Sequence, residues 1–168
     1  ARMERYALTH ANVIVAPSIG VLDEYMDGGL IERSRKREIR VDPPHMAVPG
    51  VKADWSQLDA RFRIGFLGKL QPVKGPITLI QAALVLLDRD DPVDVEVHLV
   101  GGDQQGWYAD SHRRELLNQI PARYRSRFTF HGVLPVEAAH RVLANCHAAA
   151  LPSRSETYGL AAREAAAI

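Results

Sequence analysis

The chain has 168 residues, 46% of them hydrophobic, 24% charged and 7% aromatic, with a formal net charge of +1. That apolar share is enough for a core and excludes wholesale disorder, and a single cysteine, Cys146, excludes an internal disulfide framework or a multi-thiolate zinc site. Near-neutral charge gives no ground for a nucleic-acid surface, and no apolar run approaches the roughly 20 residues of a membrane-spanning helix.

A helical pattern precedes Val13-Ile14-Val15-Ala16, which reads as a short buried strand stopped by Pro17-Ser18. Residues 19–27 are predicted helical, with Gly28-Gly29 ending them. The basic run Arg33-Ser34-Arg35-Lys36-Arg37 reads as a solvated face, and residues 39–41 as a brief strand. Pro43, Pro44, Pro49 and Gly50 continue neither a helix nor a central strand. Residues 43–61 are therefore read as a linker between the tail of one domain, 1–42, and a second domain, 62–168. The N-terminus carries no signal-peptide pattern, so the chain reads as cytoplasmic. Ala1 and Ile168 read as cut ends, and the expectation is a fragment of a longer protein.

From residue 62 the rhythm is regular. Residues 62–67 form a predicted strand, and 76–87 a helix with Ile77, Ile80, Ala83, Leu84 and Leu87 on one face. Residues 93–100 are a strand ending at Gly101-Gly102, and 105–119 a helix interrupted by Pro121. A strand over 128–130 ends at His131-Gly132, and a helix over 135–145 turns Val136, Ala139, Val142 and Leu143 inward. A strand over 148–151 ends at Pro152-Ser153, and a helix runs from Thr157. This alternation predicts an α/β fold, a Rossmann-like parallel sheet with helices on both faces. Such sheets bind ligands beyond the carboxyl ends of their strands, here the loops 68–75, 101–104, 131–135 and 152–158.

In the first of these loops, Gly68 and Gly75 let backbone approach a ligand, and Lys69 and Lys74 gather positive charge beside a helix N-terminus. A diphosphate would relieve that repulsion; two solvated lysines are the plain alternative. The spacing is neither a Walker loop nor a dinucleotide fingerprint. In the last loop, Glu156 and Glu164 stand eight positions apart, roughly 12 Å along a helix. That is too far for the carboxylate pairs of glycosidases, which are roughly 5–9.5 Å apart, but suits gripping the two ends of an elongated ligand. The plain alternative is a helix-start carboxylate and a surface charge.

Four stretches together carry a resemblance: Arg63-Ile64-Gly65-Phe66-Leu67-Gly68-Lys69 with Lys74-Gly75, Leu99-Val100-Gly101-Gly102-Asp103, Phe128-Thr129-Phe130-His131-Gly132, and Leu151 through Glu164 with its two glutamates. In order and spacing the chain resembles the family-4 retaining glycosyltransferases of GT-B fold over about residues 62–168. More loosely, residues 10–18 resemble the close of that family's N-terminal domain. The resemblance implies the donor-binding half of an enzyme that transfers a sugar from a nucleoside diphosphate with retention. Lys69 and Lys74 would neutralise the diphosphate. Glu156 would hold the transferred sugar, with Lys69, Lys74 and Glu156 forming the catalytic set. Glu164 would hold the ribose, backbone at Gly159 and Leu160 would meet phosphate or sugar, and Val133 and Leu134 would edge the base. Gly68, Ser155, Thr157 and Tyr158 complete the implied donor site.

The resemblance further implies no metal and no cofactor beyond the donor, and the sequence has no compact Asp-x-Asp loop; Asp88, Asp90 and Asp91 read as solvated charge at a helix end. The implied acceptor is a sugar, lipid or small molecule bound by a domain outside this chain. The implied location is cytoplasmic, including peripheral attachment to the inner face of a membrane. As a fragment, the chain is expected to bind donor weakly and to lack transferase activity alone. Lys69 stands where the family commonly has arginine, and a lysine is a point charge without the bidentate fork. Two rival functions remain on the sequence: a nucleotide-sugar epimerase or phosphorylase of the same fold, and a non-catalytic nucleotide-binding module. His131, His140, His147 and Cys146 read as structural rather than metal-binding, with His131 near enough to a strand end to touch ligand. Trp55, Trp107 and Tyr108 read as packing or rim residues.

Overall fold

A computed structural model describes residues 2–31, 37–46, 48–58, 60–103 and 111–168. The basic run over 33–36 and the aromatic pair Trp107 and Tyr108 lie outside the described residues. The chain groups into two compact units: Ala1–Met46 with Glu156–Gly159, and Ala47–Ser155 with Leu160–Ile168.

In the first unit, α1 (Arg2–His10) leads into β1 (Val13–Ala16), then α2 (Ile19–Asp27) and β2 (Glu38–Val41). The two strands pair in parallel, with Ile14 opposite Ile39. Ser18 starts α2 by accepting a hydrogen bond from Val21 N at 3.3 Å, which satisfies one of the amides a helix start leaves unpaired. β1 alternates: Ile14 and Ala16 are buried, while Val13 and Val15 face outward. The expected buried strand is thus buried on one face only, because a two-stranded sheet has one helical layer to press against.

The second unit is a four-stranded parallel sheet in the order β5-β4-β3-β6, built from β3 (Phe62–Leu67), β4 (Val95–Val100), β5 (Phe128–Gly132) and β6 (Ala148–Ala149). Its helices are α3 (Pro76–Leu87), α4 (His112–Gln119), α5 (Val136–Ala144) and α6 (Leu160–Ala167). The core lies between the sheet and the layer of α3 and α4: Phe66, Val95, Val97 and Leu99 from the strands meet Leu79, Ile80, Ala83, Leu87, Leu116 and Ile120. Side chains alternate across a strand, so Gly65 points to the opposite face, where α5 brings Leu143 against it. This is the doubly covered α/β sheet that the sequence predicts.

Boundaries differ in instructive places. α4 is described only from His112, and the 105–110 part of the expected helix lies outside the described residues. β6 is two exposed residues rather than four, since it pairs only with Ile64 and Gly65 of β3. α6 starts at Leu160 instead of Thr157, because Gly159 takes a left-handed φ of 71° that no right-handed helix accommodates. The inward face of α5 also rotates: Val136 is 48% exposed, and His140 is buried beside Ala139 and Leu143. In α3 the buried face includes Leu79, which the predicted face omits.

Candidate functional site

The parallel ladders do not stop at the carboxyl edge. Gly68 N donates to Val100 O at 2.9 Å, Leu70 N donates to Gly102 O at 2.8 Å, and Gly101 N donates to Gly132 O at 2.9 Å. The loops after β3, β4 and β5 are thereby laced side by side. The lacing needs glycine: Gly101 has φ 148°, and a Cβ there would lie 1.8 Å from Gly68 O. After Leu70 the first loop makes one 3-10 turn, Pro72–Lys74, and Gly75 at φ 69° delivers it to Pro76 at the start of α3.

Strand order reverses between β3 and β6, which is where open α/β sheets place their ligand crevice. The loops leaving those two strands touch. Arg154 N donates to Val73 O at 2.8 Å, and Gly75 packs so closely on Pro152 that a Cβ would sit 2.1 Å from its carbonyl oxygen. Lys69 is exposed, Lys74 is half-buried with its stem near Gly68, and Ser155 is exposed.

Beside this crevice a cleft of about 140 Å³ opens between the ends of β3 and β4 and the starts of α5 and α6. Leu67, Gly101, Val133, Leu134, His140 and Glu164 line it. Val133, Leu134 and Glu164 were expected at the donor site from sequence, and the fold gathers them in one place. His140 was not expected there. It is 2% exposed, and its Nε2 lies 3.4 Å from Glu164 Oε2. The signal for it was available, since His140 stands three positions before the buried Leu143 on the same helix.

The remaining expected residues, Glu156, Thr157, Tyr158 and Gly159, group with the first unit. There Ser18 Oγ donates to Thr157 O at 2.7 Å, and Glu156 is exposed. Leu160, the first residue of α6, is half-buried in the second unit. The helical premise behind the spacing of the two glutamates therefore holds only for the stretch after Gly159.

The other sequence candidates have structural partners. His147 Nδ1 accepts from Arg63 N at 3.0 Å, and burial pushes the Cys146 thiol up to about 11, which keeps it protonated and unreactive. His131 shares a hydrogen bond with His98, Nε2 to Nδ1 at 3.1 Å. Burial holds both imidazoles below their ordinary range, and for His98 the neighbouring His131 adds to it. Asp88 accepts from Tyr124 Oη at 2.7 Å and from Arg123 at 2.9 Å, tying the end of α3 to the segment before β5. Among the described residues no group of three or more His, Cys, Asp or Glu side chains is arranged to hold a metal ion.

A four-stranded parallel sheet of this order, with glycine-laced loops and a mostly apolar cleft at its carboxyl edge, is an open α/β domain of Rossmann-like type. Comparison with known proteins is more specific. Residues 61–168 match the family described as Glycosyl transferases group 1, and the chain belongs to that family. Among curated relatives, a D-inositol 3-phosphate glycosyltransferase of Corynebacterium diphtheriae is 34% identical over 104 residues, covering 62% of this chain and 24% of the relative. The enzyme of that name from Corynebacterium jeikeium is 34% identical over 140 residues, 77% of this chain and 33% of the relative. The chain thus spans about a quarter to a third of the length of these relatives. Among solved structures, sucrose-phosphate synthase from Thermosynechococcus elongatus superposes with TM-score 0.73 at 21% identity, over 98% of this chain and 40% of that one. The pneumococcal O-GlcNAc transferase GtfA, in complex with UDP and GlcNAc, superposes with TM-score 0.70 at 15% identity, over 99% and 31%. These likenesses establish the fold as that of GT-B glycosyltransferases.

Proposed function

We propose that this chain is the donor-binding part of a retaining glycosyltransferase, with residues 62–168 forming the nucleotide-sugar domain. The observation that carries the proposal is the cleft in which Val133, Leu134 and Glu164 meet at the carboxyl edge of the sheet. Family membership supports it, as do relatives named glycosyltransferases and fold neighbours solved with UDP.

In this reading the base lies against Val133 and Leu134, and Glu164 accepts hydrogen bonds from the ribose hydroxyls. Lys69 and Lys74 neutralise the diphosphate, helped by amides at Gly68, Gly159 and Leu160. Glu156 grips the transferred sugar, and Ser155, Thr157 and Tyr158 shape the pocket around it. As the glycosidic bond to phosphate breaks, charge builds on the departing diphosphate. Fixed cations and amide dipoles aimed at that charge lower the barrier, and two lysines supply a stabilisation that other transferases draw from a metal. The leaving phosphate takes the acceptor's proton, so attack comes from the face the diphosphate leaves and the anomeric configuration is kept. The acceptor, a sugar, lipid or small molecule, is held by a domain outside this chain. The reaction needs no cofactor beyond the donor, and it takes place in the cytoplasm or at the inner face of a membrane.

Titration of the chain with UDP, GDP and ADP, followed by NMR, tests the donor site. One of the three binds with shifts centred on residues 67–69, 133–134 and 164, and Lys74→Ala weakens it about tenfold. Equal binding by wild type and Lys74→Ala would remove that lysine from the site. Binding of all three with shifts elsewhere would remove the site.

A further inference from the structure

The only charged or polar side chain buried below one-tenth exposure among the described residues is His140, and no part of the proposed donor chemistry uses it. We infer that His140 is a positioning residue: it holds the carboxylate of Glu164 in the orientation that reads the ribose of the donor. The inference rests on the assignment of Glu164 to the ribose and adds the device that makes it selective.

A glutamate on a helix surface has three rotatable side-chain bonds, and fixing them costs conformational entropy. Glu164 lies on α6, where the residues one turn away are Leu160, Ala161, Ala167 and Ile168, none of which has a polar side chain. Such neighbours offer its carboxylate no hydrogen bond. The restraint comes from α5. Its His140 is fixed by burial between Ala139 and Leu143, and its Nε2 reaches Glu164 Oε2 at 3.4 Å. A buried imidazole needs a partner, and an ionised carboxylate accepts but does not donate, so in this contact Nε2 carries a proton. Oε2 is engaged, while Oε1 has no hydrogen-bond partner among the described residues. A carboxylate anchored by one oxygen offers the other in a set direction. Vicinal 2′- and 3′-hydroxyls demand that directionality, and a ligand lacking one hydroxyl forfeits it. Both residues line the same cleft as Val133 and Leu134, so the anchored oxygen belongs to the space the nucleoside occupies.

The test compares the 168-residue chain with His140→Leu, His140→Gln, His140→Asn and Glu164→Ala. The ligands are whichever of UDP, GDP and ADP binds it and the 2′-deoxy form of that nucleotide. Wild type favours the ribonucleotide. Glu164→Ala abolishes the preference, and His140→Leu or His140→Asn lowers it about five- to tenfold. His140→Gln, whose amide reaches the Nε2 position, restores it. Loss with Glu164→Ala but an intact preference in His140→Leu and His140→Asn would overturn the positioning role and leave the ribose assignment standing. An intact preference in Glu164→Ala would overturn the ribose assignment and the inference with it. Equal loss in the Gln and Asn variants would overturn positioning through this hydrogen bond. Nitrogen NMR of the wild-type ring needs no variant to fold: it shows a proton on Nε2, and finding Nε2 without one would also overturn the inference.

Discussion

At single residues, backbone geometry and proton binding make the sharpest predictions. Gly101 carries a left-handed backbone against the Gly68 carbonyl, so Gly101→Ala forces two strand ends apart. Its cost is about 2–3 kcal/mol or more, read as a lower urea midpoint, and the proposed nucleotide binding is expected to weaken with it because Gly101 lines the cleft. Gly75→Ala meets the same obstruction at Pro152 O and separates the two loops of the switch point. The His98–His131 pair sets the acid side of stability. Burial, and for His98 its neighbour, lowers both folded pKa values below the ordinary 6.5; Glu96 opposes and Arg63 reinforces the shift on His98. The unfolded chain therefore binds more protons in this window. Stability is full above the unfolded value and declines as pH falls through the folded ones. The urea midpoint is expected to drop between about pH 7 and pH 5, and His98→Gln to flatten that slope. An unchanged slope would place the acid sensitivity elsewhere.

At the scale of elements, α3 and α4 hold the sheet to its core and aim the loops. α3 needs no side-chain cap: Gly75 precedes it and Pro76 opens it, where a missing amide hydrogen costs little. Its Ile80 is fully buried among Phe66, Val97 and Leu99 of the core, so Ile80→Ala opens a cavity and costs about 2–5 kcal/mol by denaturant titration. α4 is anchored through the loop after β4. Asp103 accepts from Arg113 N at 2.9 Å and from the Ser111 hydroxyl, and Ser111 Oγ accepts from Arg114 N at 3.2 Å. Asp103→Ala frays this helix start and costs about 1 kcal/mol. Because Asp103 also bridges to Leu70, hydrogen exchange in that variant rises at residues 68–70 as well as in α4. Exchange confined to α4 would mean the two loops are uncoupled.

At the scale of the whole molecule, the sequence by itself determined the α/β alternation, the exact spans of β3 and α3, and the loops in which glycine and lysine collect. These follow from local physics: a strand's apolar run, a helix's repeating face, and the backbone freedom of glycine are each written in a few consecutive residues. Resemblance then named Val133, Leu134 and Glu164 as partners, and the fold placed them around one cleft. Only the tertiary structure decided the rest. The start of α6 was displaced by one left-handed glycine, and of the expected strand over 148–151 only Ala148 and Ala149 pair with β3, opposite Ile64 and Gly65. The rotation of α5 that buries His140 instead of Val136 depends on what lies across from the helix, which is Glu164 from another helix 24 positions along the chain. Helical periodicity fixes which residues share a face, but the direction that face points is settled by packing against elements far away in sequence.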